Sequence, residues 1–130
     1  MGQNVGFVGY ECEDIALYLG AVLNGLGKKT IIIDRTEQEL LIEMFGCEGE
    51  FAGVRMTNQG VSGEDFDFVF FLFGYRLRHP KLYECELLVM VTDGVPAHAS
   101  LLRKIGQWER KQCLLIRNLI PMRHTELCEV

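Results

Sequence analysis

Apolar runs of strand length alternate with longer segments of helical period, and this alternation limits the fold more than any other feature. Five runs predict strands, at residues 4–8, 28–34, 65–74, 86–93 and 112–118. Runs such as "TIIID" and "FVFFLF" are continuously apolar, which is typical of strands buried on both faces. The pattern predicts an α/β fold in which helices flank a mostly parallel sheet in three layers.

The first helix is predicted directly after the first strand. Asp14 stands where an N-cap belongs, and Gly27 stands where a left-handed C-cap belongs. Between them, apolar residues recur at the three- and four-residue spacing of one helix face, at Ile15, Leu19, Val22, Leu23 and Leu26.

Two more helices and one short strand complete the predicted elements. The segment "TEQELLIEMFG" is predicted to be helical, with Thr36 as its N-cap and Glu39 completing a capping box. A further helix is predicted in "PAHASLLRKIGQWER", with Pro96 in its first turn. The glycine-rich region 47–64 is expected to hold one short strand around "GVRMT".

The length of 130 residues fits one domain with a hydrophobic core, and no repeat or linker divides it, so residues 1–130 are predicted to form a single α/β domain. The hydrophobic fraction of 48% is high for so short a chain. Either the sheet is buried on both faces, or part of the apolar surface is kept for a partner.

Charge and cysteine content limit the partners and the compartment. The net charge of −5 provides no broad basic field for nucleic acid, and the apolar runs are far shorter than a membrane-spanning helix. The five cysteines are scattered without a C-x-x-C pair, and the histidines lie on separate segments. We therefore expect no disulfide framework and no metal site, and we expect a reducing cytoplasm.

Four segments, taken in order, resemble the MinD/ParA group of deviant P-loop ATPases. "LGKKTIIID" is similar to the family's second strand with its terminal aspartate, and "FDFVFFLFG" to the strand that carries the switch aspartate. "LLVMVTDGVPAHASLLRKI" resembles a later strand and helix, and "LLIRNLIP" a late strand that ends in an asparagine near the base. The resemblance runs from Asn4 to Pro121 and implies a P-loop-NTPase or Rossmann-like fold.

When the family's functional positions are transferred onto this chain, the residues that bind phosphate and magnesium in the family are replaced by others. Counting back from Asp34, the phosphate-binding lysine falls on Cys12 and the magnesium-binding hydroxyl falls on Glu13. Counting forward from Asp67, the switch aspartate falls on Leu72. The resemblance thus implies a chain without catalytic residues.

Three residues keep the family's pattern and mark what remains of a nucleotide site. Gly9 is the one glycine of the first loop, Asp34 ends the second strand, and Asn118 ends the last one. The resemblance implies that these three residues are vestigial cofactor-binding positions.

The loop after the first strand carries carboxylates at the place of a phosphate cradle. Glu11, Glu13 and Asp14 bring up to three negative charges there. Like charges about 4 Å apart cost on the order of a few kcal/mol each at surface dielectric. A helix N-terminus offers only ~0.3–1 kcal/mol in return. We therefore expect no bound cofactor and interpret the acidic loop as helix capping; the alternative is a site for ATP with magnesium.

The loop "YRLRHPKLYE" follows the central strand, where α/β folds often place ligand or partner sites. Its aromatic and basic residues are of types enriched in protein interfaces. The predicted interaction residues are Tyr75, Arg76, Arg78 and Tyr83.

The leading hypothesis is a non-catalytic MinD/ParA-like protein that works by binding other proteins, as a homodimer or in a heteromeric assembly. The resemblance implies a role in assembling or positioning a larger machine, such as a secretion, pilus, conjugation or partitioning apparatus. One alternative is a small nucleotide-binding ATPase that uses Asp34 and Asn118. Another is a receiver-like signalling domain, although residues 72–74 offer no phosphate acceptor.

Overall fold

Seven strands form one sheet in the computed structural model, which describes residues 2–37, 39, 41, 49–59, 65–93, 95–97, 100 and 111–116. The elements, in chain order, are β1 (Gln3–Gly9), α1 (Cys12–Gly25), β2 (Thr30–Asp34), β3 (Glu50–Phe51), β4 (Val54–Thr57), β5 (Phe68–Gly74), a 3₁₀ helix (Pro80–Glu84), β6 (Leu87–Thr92) and β7 (Lys111–Ile116).

The sheet is mixed and mostly parallel, with the strand order β3-β4-β2-β5-β1-β6-β7. Every neighbouring pair is parallel except the short hairpin of β3 and β4. The predicted α/β class with a mostly parallel sheet is therefore confirmed. α1 is the one complete α-helix within the described ranges, and it is neither long nor apolar enough to cross a bilayer.

Both faces of the central strands are buried, as the continuous apolar runs predict. On β5, Phe70 and Leu72 belong to the cluster on one face, and Phe71 and Phe73 belong to the cluster on the other. The first face is covered by α1, whose Cys12 and Ala16 pack among the strand residues. The second face is covered in part by the 3₁₀ helix through Leu82.

The predicted N-cap of α1 is wrong. The helix begins at Cys12, and the preceding residue is Glu11, whose backbone is left-handed (φ 49°) and whose side chain makes no capping hydrogen bond. Asp14 instead lies in the first turn, and its N–H donates to the Glu11 carbonyl at 3.2 Å. An acidic residue is favourable both at an N-cap and in a first turn, so residue type alone does not locate the helix start.

The predicted C-cap of α1 is confirmed. Gly27 has a φ of +83°, and its N–H donates to the Asn24 carbonyl at 3.0 Å. The Lys28 N–H donates to the Leu23 carbonyl at 2.9 Å. These two bonds form a Schellman motif, which needs a left-handed residue that glycine provides without a steric penalty.

The predicted capping box of Thr36 and Glu39 is wrong. Glu39 is left-handed (φ 46°), and its carboxylate accepts a hydrogen bond from the Asn58 side-chain amide at 3.4 Å. The Thr36 hydroxyl donates to the Asp34 carboxylate at 2.6 Å. The carboxylate of Asp34 also accepts the Leu41 N–H at 3.0 Å. Residues 38, 40 and 42–46 of the predicted helix lie outside the described residues.

The short strand predicted around "GVRMT" is confirmed as β4, and its hairpin partner β3 was not predicted. Ala52 and Gly53 form the two-residue turn, and both have positive φ, as type I′ hairpins require. Of the helix predicted after β6, residues 96, 97 and 100 are helical. The other residues of this predicted helix, at 98, 99 and 101–110, lie outside the described residues. The same holds for Asn118 and for the tail at residues 121–130.

Candidate functional site

The centre of the sheet contains a point where the chain connections diverge. β1 and β5 are neighbours there, β1 is followed by α1 on one face, and β5 is followed by the 3₁₀ helix on the opposite face. Diverging connections leave a crevice at the carboxyl ends of the strands, which is where open α/β sheets bind ligands. The topology thus selects this edge of the sheet as the candidate site.

A cleft of about 270 Å³ occupies this edge. Its walls come from the residues at and after the ends of β1, β2 and β5. They are Gly9, Tyr10, Glu11, Glu13, Thr36, Glu37, Phe73, Gly74 and Tyr75. Gly9 and Tyr75 were predicted site residues, and the structure brings them together here.

Gly9 is required by the path of the backbone at the cleft floor. Its φ is +108°, and a Cβ at this position would collide with the Val91 carbonyl oxygen of β6. That carbonyl also accepts the Tyr10 N–H at 3.0 Å. The glycine therefore lets the loop lie against β6, and the amide that follows it is engaged within the chain.

Cys12, which the resemblance aligns with the phosphate-binding lysine, contributes no positive charge to the cleft. Its side chain is fully buried between α1 and the sheet. Its Sγ–H donates to the Phe7 carbonyl at 3.7 Å. Burial, and secondarily the charge of Glu13, raise the pKa of the Cys12 thiol to about 12. The residue is a neutral core thiol at physiological pH.

Glu13 lines the cleft and is half-buried. Burial is the main cause that raises its pKa, its own backbone N–H acts in the opposite direction, and repulsion from Asp14, Glu11 and Asp34 raises the pKa further. The carboxylate is therefore less stable in its charged form here than in water. A second anion placed beside it would add to this cost.

Asp34 lies at the end of β2 and is buried. One carboxylate oxygen accepts both the N–H and the hydroxyl of Thr36, and the other accepts the Leu41 N–H. The following N–H, of Arg35, donates to the Leu72 carbonyl at 2.8 Å. Asp34 thus organises the loop that carries Thr36 and Glu37 to the cleft, and its own side chain is not among the cleft walls.

Leu72, which the resemblance aligns with the switch aspartate, is fully buried in the cluster beneath α1. It offers no ligand to a cation. Within the part of the chain that the structure describes, no group of three acidic, histidine or cysteine side chains is arranged to hold a metal ion. Asn118, the third residue that the resemblance implies as a cofactor-binding position, is outside that part.

The four predicted interaction residues are exposed and spread over the connection from β5 to β6. Tyr75 lines the cleft, and burial followed by the charge of Asp93 raises its pKa. The guanidinium of Arg76 donates to the Arg35 carbonyl at 2.7 Å, which ties this connection to the end of β2. Tyr83 lies on the 3₁₀ helix, and Arg78 lies just before it. Their role in partner binding stays a prediction.

The sequence did not identify Tyr10, Thr36 and Glu37 as members of the site. Each of these residues follows a strand that ends at the same edge of the parallel sheet. Their position could have identified them, but only if the strand order had been known. The chain matches no protein-family model, no curated protein and no solved structure. The functional interpretation therefore depends on the geometry of the cleft and on the resemblance of its segments.

Proposed function

We propose that this chain is a non-catalytic relative of the MinD/ParA ATPases that acts by binding other proteins. In this proposal the fold is the family's three-layer, Rossmann-like arrangement. The cleft between β1 and β5 corresponds to the place of a nucleotide. The chain has kept this place while the residues around it have changed their charge.

The observation that carries the proposal is the charge of the cleft. Glu11, Glu13 and Glu37 are among its walls, and no lysine or arginine of the described ranges is. A polyphosphate would add several negative charges to a site whose carboxylate at Glu13 is already disfavoured in its charged form. At surface dielectric each such contact costs on the order of a few kcal/mol.

The backbone donors that would hold a phosphate are also engaged. The Tyr10 N–H binds the Val91 carbonyl, and the Asp14 N–H binds the Glu11 carbonyl. The N–H of Glu13 stabilises that residue's own carboxylate. A phosphate site at a helix N-terminus depends on free, convergent N–H groups, so this helix start supports carboxylates in place of an anionic ligand.

Protein partners fit the remaining surface better than a small ligand. The connection after β5 exposes Tyr75, Arg76, Arg78 and Tyr83, which combine aromatic area with charge. The scattered cysteines, without a C-x-x-C pair, suit a reducing compartment, and we propose that the protein works in the cytoplasm. The partners would belong to a larger machine that the protein helps to assemble or position.

The proposal is tested by calorimetric titration of the full chain with ATP, ADP and GTP, each with and without magnesium. We expect no saturable heat up to about 1 mM ligand, which corresponds to a binding free energy weaker than about −4 kcal/mol. Saturable binding in the micromolar range would refute the proposal and favour the small nucleotide-binding ATPase.

A further inference from the structure

The outer face of α1 is unusual for a helix that covers a sheet. From Ile15 to Gly27 the sequence "IALYLGAVLNGLG" contains no charged residue. Surface helices normally carry charged and polar side chains opposite their buried stripe, and a helix that is apolar all round is covered on both sides. The inner side of α1 packs on the sheet through Cys12, Ala16 and Gly20, so the outer side requires a separate explanation.

Three large side chains form one row along this outer face. Tyr18, Val22 and Leu26 are spaced four residues apart, and their exposed fractions are 68%, 43% and 72%. We call this row the α1 stripe. Residues four apart lie above one another on a helix, so the stripe is a continuous apolar ridge about 12 Å long.

We infer that the α1 stripe is the surface on which a second copy of this chain docks, with the two α1 helices antiparallel about a twofold axis at Val22. In this arrangement Val22 meets its own copy, and Tyr18 of each chain meets Leu26 of the other. The stripe is thus complementary to itself, as a twofold interface requires. The inference rests on the proposed function, because it names one partner of a protein that acts by binding proteins.

The charges at the ends of α1 favour this orientation. Glu13 and Asp14 lie in the first turn, and Lys28 and Lys29 follow the last turn; both lysines are exposed. With the axis at Val22, Asp14 of one chain lies about 12 Å from the centre along the helix, on the side where α1 of the other chain ends and its Lys28 follows. Opposite charges and opposite helix ends then meet, whereas a parallel pair would place carboxylates against carboxylates.

Gly25 fits the same arrangement. Among the described residues, a Cβ at this position would contact nothing within 4 Å, and Gly25 is helical with an ordinary φ. Neither packing within the chain nor backbone conformation requires a glycine there, although glycine costs about 1 kcal/mol relative to alanine inside a helix. Beside Leu26, the missing side chain leaves a depression into which Tyr18 of the second copy would fit.

The size of the stripe limits the affinity. A single pair of helices with three large side chains each buries roughly 1,000 Å² in total, at the low end for specific interfaces. We therefore expect a reversible dimer with a dissociation constant on the order of 10 μM, and a monomer at nanomolar concentration.

Sedimentation velocity on the full chain, from about 1 to 500 μM, tests this inference. The variants place a charged side chain at the twofold axis. Val22→Glu and Val22→Lys each place like charges against each other, so each variant alone should be monomeric. Mixed in equal amounts, they should form a heterodimer. Tyr18→Lys mixed with Leu26→Glu should behave in the same way and provides a second pair, should either Val22 variant misfold by circular dichroism.

Ile116→Glu is the matched control, because Ile116 is an apolar residue of β7 with 71% exposure. This variant should dimerise like the unchanged chain. A monomeric unchanged chain at 500 μM, a dimer that survives Val22→Glu, or mixtures that stay monomeric would each overturn the inference. The nucleotide titration is independent of this result, so failure here leaves the proposed loss of nucleotide binding standing, and the reverse also holds.

Discussion

At the scale of single residues, the site is shaped by where each carboxylate finds its hydrogen bonds. Asp34 is buried but accepts three hydrogen bonds, whereas Glu13 is half-buried among other acidic groups. A carboxylate group therefore stabilises the turn after β2 at Asp34, whereas at Glu13 its charged form is disfavoured. Both residues were noticed in the sequence, but their different roles depend on neighbours that only the folded chain provides.

Replacing Glu13 by glutamine should stabilise the protein at neutral pH. Folding raises the pKa of this carboxyl above its ordinary value, so the cost of its charge is absent below about pH 4.5 and present above the raised pKa. The melting temperature of Glu13→Gln should therefore exceed that of the unchanged protein at pH 7, and the two should coincide near pH 3.5. Thermal unfolding measured at both pH values checks this prediction.

Glu86→Gln is the control for this measurement, since Glu86 is exposed and precedes β6 at the edge of the sheet opposite the cleft. It should melt like the unchanged protein at both pH values. A Glu13→Gln variant that melts lower at pH 7 would show that the carboxylate stabilises the start of α1, and that the cleft tolerates its charge.

At the scale of elements, the strands were predictable and the helix ends were less so. Continuous apolar runs identified β1, β2, β5 and β6 because a strand buried on both faces leaves this trace in the sequence. The N-terminus of α1 was misplaced because acidic residues occupy three of the four positions 11–14. The glycine at the C-terminus was placed correctly because the apolar periodicity ends at Leu26, and Gly27 follows it with a left-handed backbone.

The turn after β2 should depend strongly on Asp34. In Asp34→Ala the N–H groups of Thr36 and Leu41 lose their acceptor, and a buried unsatisfied donor costs about 1–3 kcal/mol. We expect a loss of about 2–4 kcal/mol in the free energy of unfolding, measured by urea denaturation.

Asp67→Ala is the matched control for this change. Asp67 also accepts a backbone N–H, that of Lys29 at 2.8 Å, but it is exposed, and water can replace it. Its loss should be about 1 kcal/mol or less. Equal losses in the two variants would contradict the role assigned to Asp34 as the organiser of the cleft wall.

At the scale of the whole molecule, the sequence predicted the α/β class but not the position of the cleft. The class follows from local patterns, whereas the cleft requires that β5, late in the chain, lies between β1 and β2. This strand order brings together the cleft walls, which include Tyr10, Thr36 and Glu37. Asn118 lies outside the described residues, and the interaction residues Arg78 and Tyr83 remain predictions because no partner constrains them.

The central claim is that the cleft at the end of β1 and β5 rejects the nucleotide that its position would otherwise favour. Amide chemical shifts of the ¹⁵N-labelled full chain, recorded with increasing MgADP and MgATP up to about 5 mM, test it at the residues concerned. The account predicts that the amides of Gly9, Tyr10, Glu13 and Gly74 keep their shifts throughout the titration. Saturable shifts confined to these amides would place a nucleotide in the cleft and contradict the account.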